Sequence, residues 1–388
     1  MDYQQYLSHR ALNLPASGIR KFWELAMATE NVVSLAIGEP DYTPPQAVLD
    51  EMKHALDNQD THYTSNHGLP ELRTAISEWY NKHYHVNYDI SEIMLTIGAS
   101  EGIDLALRVL LNDGDEVLIP DPSYVAYKGE VLLNNGVPVM VPTYLKDGFA
   151  LTVEELEKYV TPNTKALLMG FPSNPTGAIL SKEQLQAIAD FAIKHDIMVI
   201  SDEIYSVLTY DADHHSIAAL PNMKERTITL NGFSKAYAMT GLRIGYLCAP
   251  KFIIDMCIKI HQYSIVAPAT PVQRAAIVAI RDCDDSIKAM REEYHGRRDL
   301  IVTGLQEMGF TVAVPQGAFY VYPDISSTGL SDEEFAIQLL QSKKVAVVPG
   351  SAFGDCGKNK IRISYASSRE TIQTALRLMK EFVEELKN

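Results

Sequence analysis

Between about residues 90 and 250, short β-rich runs alternate with helical patterns, and this alternation limits the fold more than any other feature of the chain. The runs are IMLTIG, EVLIP, VPVMVP, KALLMGF, IMVISDE, TITLNGF and RIGYLCAP, with EGIDLALRVLL and SKEQLQAIADFAIKHD among the helical stretches between them. Strands separated by helices can lie parallel, so an α/β fold is expected, its mostly parallel sheet covered by helices on both faces. The helix over 181–195 is well marked: Ser181 and Gln184 have capping-box spacing, and Leu185, Ile188, Ala189, Ala192 and Ile193 make one apolar stripe.

After about residue 280 the pattern changes to a long charged helix (REEYHGRRDLIVTGLQEM), the strands FTVAVP, AFYVYP, VAVVPG and KIRISYA, and a closing amphipathic helix. This reads as a second, smaller α+β domain. The segment running through SLAIGEPDYTPP is expected to be irregular, because Pro40, Pro44 and Pro45 interrupt regular structure, and to cross between domains. The expected divisions are 1–45, 46–279 and 280–388.

At 388 residues and 46% hydrophobic, the chain can bury a sizeable core. Its formal charge of −15 opposes nucleic acid and anionic membranes, and no run of Lys or Arg offsets it. Cys248, Cys257, Cys283 and Cys356 form neither a CxxC nor a Cys/His cluster, so no disulfide framework or metal site is expected. The start, MDYQQYLSHR, lacks a basic region followed by an apolar block, and no apolar run is long enough to span a membrane. A soluble, unprocessed cytoplasmic protein is the expectation.

Ligands of open α/β sheets bind beyond the carboxyl ends of the strands. Four such ends carry unusual residues. GAS follows IMLTIG and opens a helix, so it offers backbone N–H groups and the Ser100 hydroxyl to an anion; a tight turn needing only Gly98 is the alternative. Asp202 follows IMVIS, with Tyr205 just beyond it, and an acid there can equally cap a helix. PSNPTG presents Asn174 in a turn that is also explicable as structure alone. Ser234 and Lys235 follow TITLNGF. A lone lysine is ordinarily a solvated surface charge, but partial burial and the nearby Arg243 would both disfavour its ammonium form. An amine that loses its proton near neutrality can form a Schiff base.

In this order, YTSNHGLPELR, GAS, PSYVAY, SNPTG, SDEIY, SKAYAMTGLRIGY and RISYA resemble the class I/II aminotransferases, fold type I enzymes dependent on pyridoxal 5′-phosphate. The resemblance runs from about residue 17 to the C-terminus. It is closest to the branch holding aromatic, N-acetyl-diaminopimelate and aspartate-type enzymes. It implies a large cofactor-binding domain with a seven-stranded, mostly parallel sheet in an α/β/α sandwich, and a smaller α+β domain built from both chain ends.

The resemblance also implies roles. Lys235 would hold the cofactor aldehyde and, once freed, carry a proton between the substrate Cα and the cofactor. Asp202 would pair with the pyridine nitrogen, Tyr205 and Asn174 would bond the 3′ oxygen, and Tyr124 would stack on the ring. Ala99, Ser100, Ser234 and Arg243 would bind the phosphate. Tyr63 would reach the phosphate of a neighbouring subunit, making the active site composite and the protein a homodimer. Arg362 would clamp the substrate carboxylate with Asn174 and the backbone N–H of Gly38; without the resemblance, a solvent-facing strand edge would explain Arg362 as well.

Three positions depart from common forms of these motifs. Gly232 stands where a serine or threonine often donates to phosphate, and Leu242 where tryptophan is common. Ser100 stands where some aspartate-type relatives have a lysine, which weakens a dicarboxylate reading. Arg20 is a candidate for a distal carboxylate, although a surface helix residue explains it as well. The function expected is transfer of an amino group from an L-amino acid, aromatic or of broad type, to a 2-oxo acid such as 2-oxoglutarate. The alternatives are a C–S β-lyase of the same fold and a non-enzymatic cofactor-binding regulator.

Overall fold

The computed structural model of the protein describes residues 1, 3–14 and 18–387, without the side chains of Asn13, Ile19, Arg20, Lys21 and Trp23. All seven runs identified between 90 and 250 become strands of one seven-stranded sheet. Across the sheet the order is Ile93–Thr96, Gly245–Cys248, Thr227–Gly232, Met198–Asp202, Thr164–Gly170, Glu116–Asp121 and Val137–Pro142. Gly245–Cys248 runs antiparallel to both its neighbours and the remaining pairings are parallel.

Successive residues of the central strands point to opposite faces, and both faces are covered, which is why these strands are apolar throughout. Val117, Leu168, Ile200 and Leu230 pack with Ile103, Leu107 and Ile254 on one side. Leu118, Leu167, Met169 and Val199 pack with Leu185, Ile188 and Phe191 on the other. The helix Lys182–Lys194 begins with the expected capping box, Ser181 accepting from the Gln184 N–H and the Gln184 side chain accepting from the Ser181 N–H.

Beyond residue 280 come the helix Asp284–Glu307, a three-stranded sheet in the order Val348–Pro349, Ile361–Ser364, Tyr320–Val321, and the closing helix Arg369–Glu385. FTVAVP, expected as a strand, makes only an isolated bridge from Thr311 to Asp324. Pro315 supplies no N–H to extend that pairing.

The N-terminal segment is more regular than expected, with helices at His9–Asn13 and Gly18–Met27, while the residues around the three prolines are irregular as expected. Arg20 falls in the second of these helices, and its side chain lies outside the described residues. Val33–Ser34 pairs in parallel with Val345–Ala346, so opposite ends of the chain meet. Among the described residues no helix is long and apolar enough to cross a membrane, and no group of three or more His, Cys, Asp or Glu could hold a metal ion.

Candidate active site

A cavity of about 590 Å³ opens where the parallel strands end. Eleven of the residues singled out from the sequence line it: Gly38, Ala99, Ser100, Tyr124, Asn174, Asp202, Tyr205, Ser234, Lys235, Arg243 and Arg362. Tyr63 does not; it is 87% exposed on this chain.

The reversed strand Gly245–Cys248 explains how Arg243 joins the others. Because it runs against its neighbours, its amino end lies at the edge where they finish, so Arg243, two residues before it, lines the same space as Lys235. Gly245 is close-packed there: a β-carbon on it would lie 2.7 Å from the Ala99 nitrogen. Gly232, its register partner, is equally confined, since its β-carbon would come within 3.0 Å of Gly245 Cα and the Ile244 oxygen. The glycine found in place of a hydroxyl residue thus lets its strand lie close against the Ile244–Gly245 backbone, and Gly245 in turn lets that backbone approach the start of helix Gly98–Leu110.

That helix has no side-chain cap at its first residue, and Ala99 and Ser100 face the cavity from its first turn. The nearby Glu101 carboxylate is already committed to the Ile97 N–H at 2.5 Å and to His261 Nδ1 at 2.6 Å. Free first-turn N–H groups, two serine hydroxyls and the Arg243 fork together make an anion cradle.

Lys235 is partly buried, and its Nζ donates to the Gly38 carbonyl at 2.7 Å. Burial lowers its amine to about 8; Arg362 and Arg243 act in the same direction, while Glu39 and Asp202 oppose them. The turn bearing Gly38 is anchored by Asp41, whose carboxylate receives Arg297 Nη1 at 2.9 and 2.8 Å and the Tyr294 hydroxyl at 3.1 Å. At the cavity mouth the Thr240 hydroxyl donates to Glu39 at 3.0 Å.

Asp202 is only 6% exposed. It accepts from the Tyr127 hydroxyl at 2.8 Å and the Ile204 N–H at 3.1 Å. Burial pushes its carboxyl up to about 6, those two bonds resist, and the buried Glu203 behind it pushes the same way as burial. A buried carboxylate facing a cavity with two neutral donors and no bonded cation fits a protonated aromatic nitrogen arriving from the cavity side.

Arg362 is 3% exposed. Its Nη1 donates to Asn174 Oδ1 at 3.1 Å and its Nη2 to the Ala36 carbonyl at 2.7 Å. The guanidinium lies between the rings of Tyr320 and Phe353, 4.6 and 4.8 Å from their centroids. Its buried Nε has no partner, and among the described residues no carboxylate pairs with it. Desolvation lowers its pKa, and a substrate carboxylate would compensate the buried charge. The solvent-facing alternative for Arg362 is thereby excluded.

These donors suit a phosphorylated pyridine aldehyde: the anion cradle, the amine, the carboxylate and the buried guanidinium face one space. Among the other lining residues, two tyrosines that bond or support site residues are not picked out by the sequence. Tyr127 lies three positions beyond Tyr124, on the first turn of helix Ala126–Leu133, and that spacing was the available signal. Tyr320 sits in AFYVYP, where nothing distinguishes it from a core tyrosine.

A model of the family described as aminotransferase class I and II matches residues 30–378. The aromatic-amino-acid aminotransferase 2 of Thermococcus litoralis is 46% identical over 385 residues, covering 98% of this chain and 99% of that one. An aspartate aminotransferase of Pyrococcus abyssi is 48% identical over 375 residues, 96% of each chain. The crystal structure of an aromatic aminotransferase from Pyrococcus horikoshii superposes with a TM-score of 0.91 at 46% identity, covering 95% of this chain and 99% of that one.

Proposed function

The chain belongs to the class I and II aminotransferases, transaminases that use pyridoxal 5′-phosphate, and from that premise we propose that its amino donor is an aromatic or broadly chosen L-amino acid and its acceptor a 2-oxo acid such as 2-oxoglutarate. One observation carries the reading of the site: Lys235, with its amine lowered to about 8, shares a single cavity with the buried carboxylate of Asp202 and the buried, carboxylate-free guanidinium of Arg362.

When bound, the cofactor supplies an aldehyde for the amino group and a ring that withdraws electrons from the substrate Cα. Lys235 would anchor the cofactor and take the proton from the substrate Cα at Nζ, a role suited to an amine titrating near 8. Asp202 would keep the pyridine nitrogen protonated, with Tyr127 orienting its carboxylate. Tyr205 and Asn174 would bond the 3′ oxygen, and Tyr124 would cover the ring. Ala99, Ser100, Ser234 and Arg243 would hold the phosphate. Arg362 would fix the substrate carboxylate with Asn174 and the Gly38 N–H, placing Cα beside Lys235.

The donor preference is supported by the charges. Among the described residues the cavity-lining cations are Lys235, Arg243 and Arg362, each with a task above, while Ile37, Val125 and Tyr320 add apolar wall. Exposed Tyr63, Phe252 and Tyr263 support a homodimer in which Tyr63 reaches the phosphate of the adjoining protomer. The pairing of Val33–Ser34 with Val345–Ala346 supports a small lobe of residues 1–45 and 280–388 beside a cofactor lobe of 46–279. The acidic balance and scattered cysteines support a cytoplasmic enzyme.

A panel of amino acids tests the assignment: purified holoenzyme is mixed with each in turn, without a 2-oxo acid, and loss of the cofactor's visible band is followed. Phenylalanine and tyrosine should discharge it fastest; a strict aspartate preference would overturn the donor reading. Pyruvate and ammonia formed from cystathionine without an added 2-oxo acid would point to lyase chemistry instead.

A further inference from the structure

Tyr320 is fully buried, in the short strand paired with the one that carries Arg362. Three site residues meet on it. Its hydroxyl lies 2.8 Å from that of Tyr205, its ring supports the Arg362 guanidinium at 4.6 Å, and a β-carbon on Gly38 would lie 3.1 Å from its oxygen.

The Tyr205–Tyr320 contact joins two phenols, each with one hydrogen. Burial raises the pKa of both, so both are neutral throughout the working range. Whichever hydroxyl donates across the pair has no hydrogen left for anything else. Both tyrosines line the cavity; the Tyr320 hydroxyl has no other acceptor within bonding distance among the described residues, and the 3′ oxygen is the acceptor proposed for Tyr205. Donation from Tyr320 to Tyr205 therefore leaves the Tyr205 hydrogen free to point into the cavity, and a hydroxyl that accepts one bond becomes the stronger donor of the next. The charged and titratable groups facing the pair are Arg362, Lys235 and Tyr124.

We propose that Tyr320 is a positioning residue that fixes Tyr205 as a hydrogen-bond donor toward the cofactor's 3′ oxygen while its ring seats the guanidinium that receives the substrate carboxylate. This rests on the reading that Tyr205 reaches that oxygen. One side chain of the smaller lobe thereby serves both the electronic setting of the cofactor and the binding of the substrate.

The test reads the pH midpoint of the holoenzyme's visible absorbance, a spectroscopic quantity separate from turnover. Negative charge on the 3′ oxygen retains the proton whose loss changes that absorbance, so a weaker donor to the oxygen raises the midpoint. Tyr320→Phe keeps the ring and removes the hydroxyl; the midpoint should rise by about half a unit, the scale of one neutral hydrogen bond acting at one remove. Tyr205→Phe should raise it further, and adding Tyr320→Phe to Tyr205→Phe should move it no more. Site-specific 3-fluorotyrosine at 320, a more acidic donor of nearly the same shape, should lower it. If Tyr205→Phe shifts the midpoint and neither change at 320 does, or if the two Phe changes are additive, the role of Tyr320 is overturned while the Tyr205 reading stands. If Tyr205→Phe leaves the midpoint unchanged, both fall.

Discussion

The Arg243 guanidinium passes so close to Gly98 that a β-carbon on Gly98 would lie 2.6 Å from Nη2. Gly98 also has φ of +72°, in the left-handed region, so both its conformation and the space above it call for glycine. The tight turn and the proposed phosphate cradle, alternatives in the sequence, do not exclude one another, since the same glycine makes the turn and admits the Arg243 fork.

Gly98→Ala should therefore act chiefly on the cofactor. The flexible end of Arg243 can move aside, leaving a strain of about 1 kcal/mol in the apoenzyme, while the cradle loses its fork. Cofactor titration should show a Kd raised about tenfold or more, with a melting shift of only a few degrees. An unchanged Kd would show that Arg243 does not bind the phosphate.

Gly232→Ser, which restores the hydroxyl common at this position, should not tighten cofactor binding. Its β-carbon meets backbone atoms of Ile244 and Gly245 that cannot swing away, and overpacking of this kind costs about 1–3 kcal/mol. Melting temperature and cofactor Kd measured together decide the matter: a lower melting temperature with no gain in affinity is expected, and a tighter Kd would contradict it.

Arg362→Lys keeps the charge but cannot reproduce both bonds, to Asn174 and to Ala36, nor the stacking between Tyr320 and Phe353. Breaking a buried charged contact costs about 2–5 kcal/mol, so kcat/KM for the amino donor should fall by at least about thirtyfold. A change within about threefold would mean that the carboxylate is bound elsewhere.

Asp202 makes the apoenzyme's stability depend on pH. Its carboxyl is raised from 3.8 to about 6, so between those values the folded chain holds a proton that the unfolded chain has released. Its contribution to stability accordingly falls as pH rises through this window, and the full cost, at most about 3 kcal/mol, is present above pH 6. Apo Asp202→Asn should melt above apo wild type at pH 7 and level with it near pH 4, and bound cofactor should reverse the order at pH 7. Equal melting of the two apoenzymes at both pH values would show that Asp202 is not held at a cost.

The strand runs were legible because a parallel sheet covered on both sides needs strands apolar throughout, and Gly, Pro and Asn punctuate their ends. Lys235, Asp202 and Asn174 could be placed by the same logic, since each lies within three residues of the end of such a run. Arg243 was legible as a residue but not in position: its approach depends on Gly245–Cys248 running backwards, and hydrophobic pattern carries no strand direction. Tyr127 and Tyr320 were hidden for another reason. Each lies among apolar residues where a buried tyrosine is ordinary, and only the contacts with Asp202 and Tyr205 set them apart. FTVAVP was overread because alternation shows that a strand is possible, not that a partner edge is free to receive it.

The central claim is that the Lys235 amine carries the chemistry. With phenylalanine as donor and 2-oxoglutarate as acceptor, steady-state turnover of Lys235→Ala should fall by at least about 1,000-fold, since both the anchor and the proton carrier are gone. Retention of normal multiple turnover by Lys235→Ala would contradict the account.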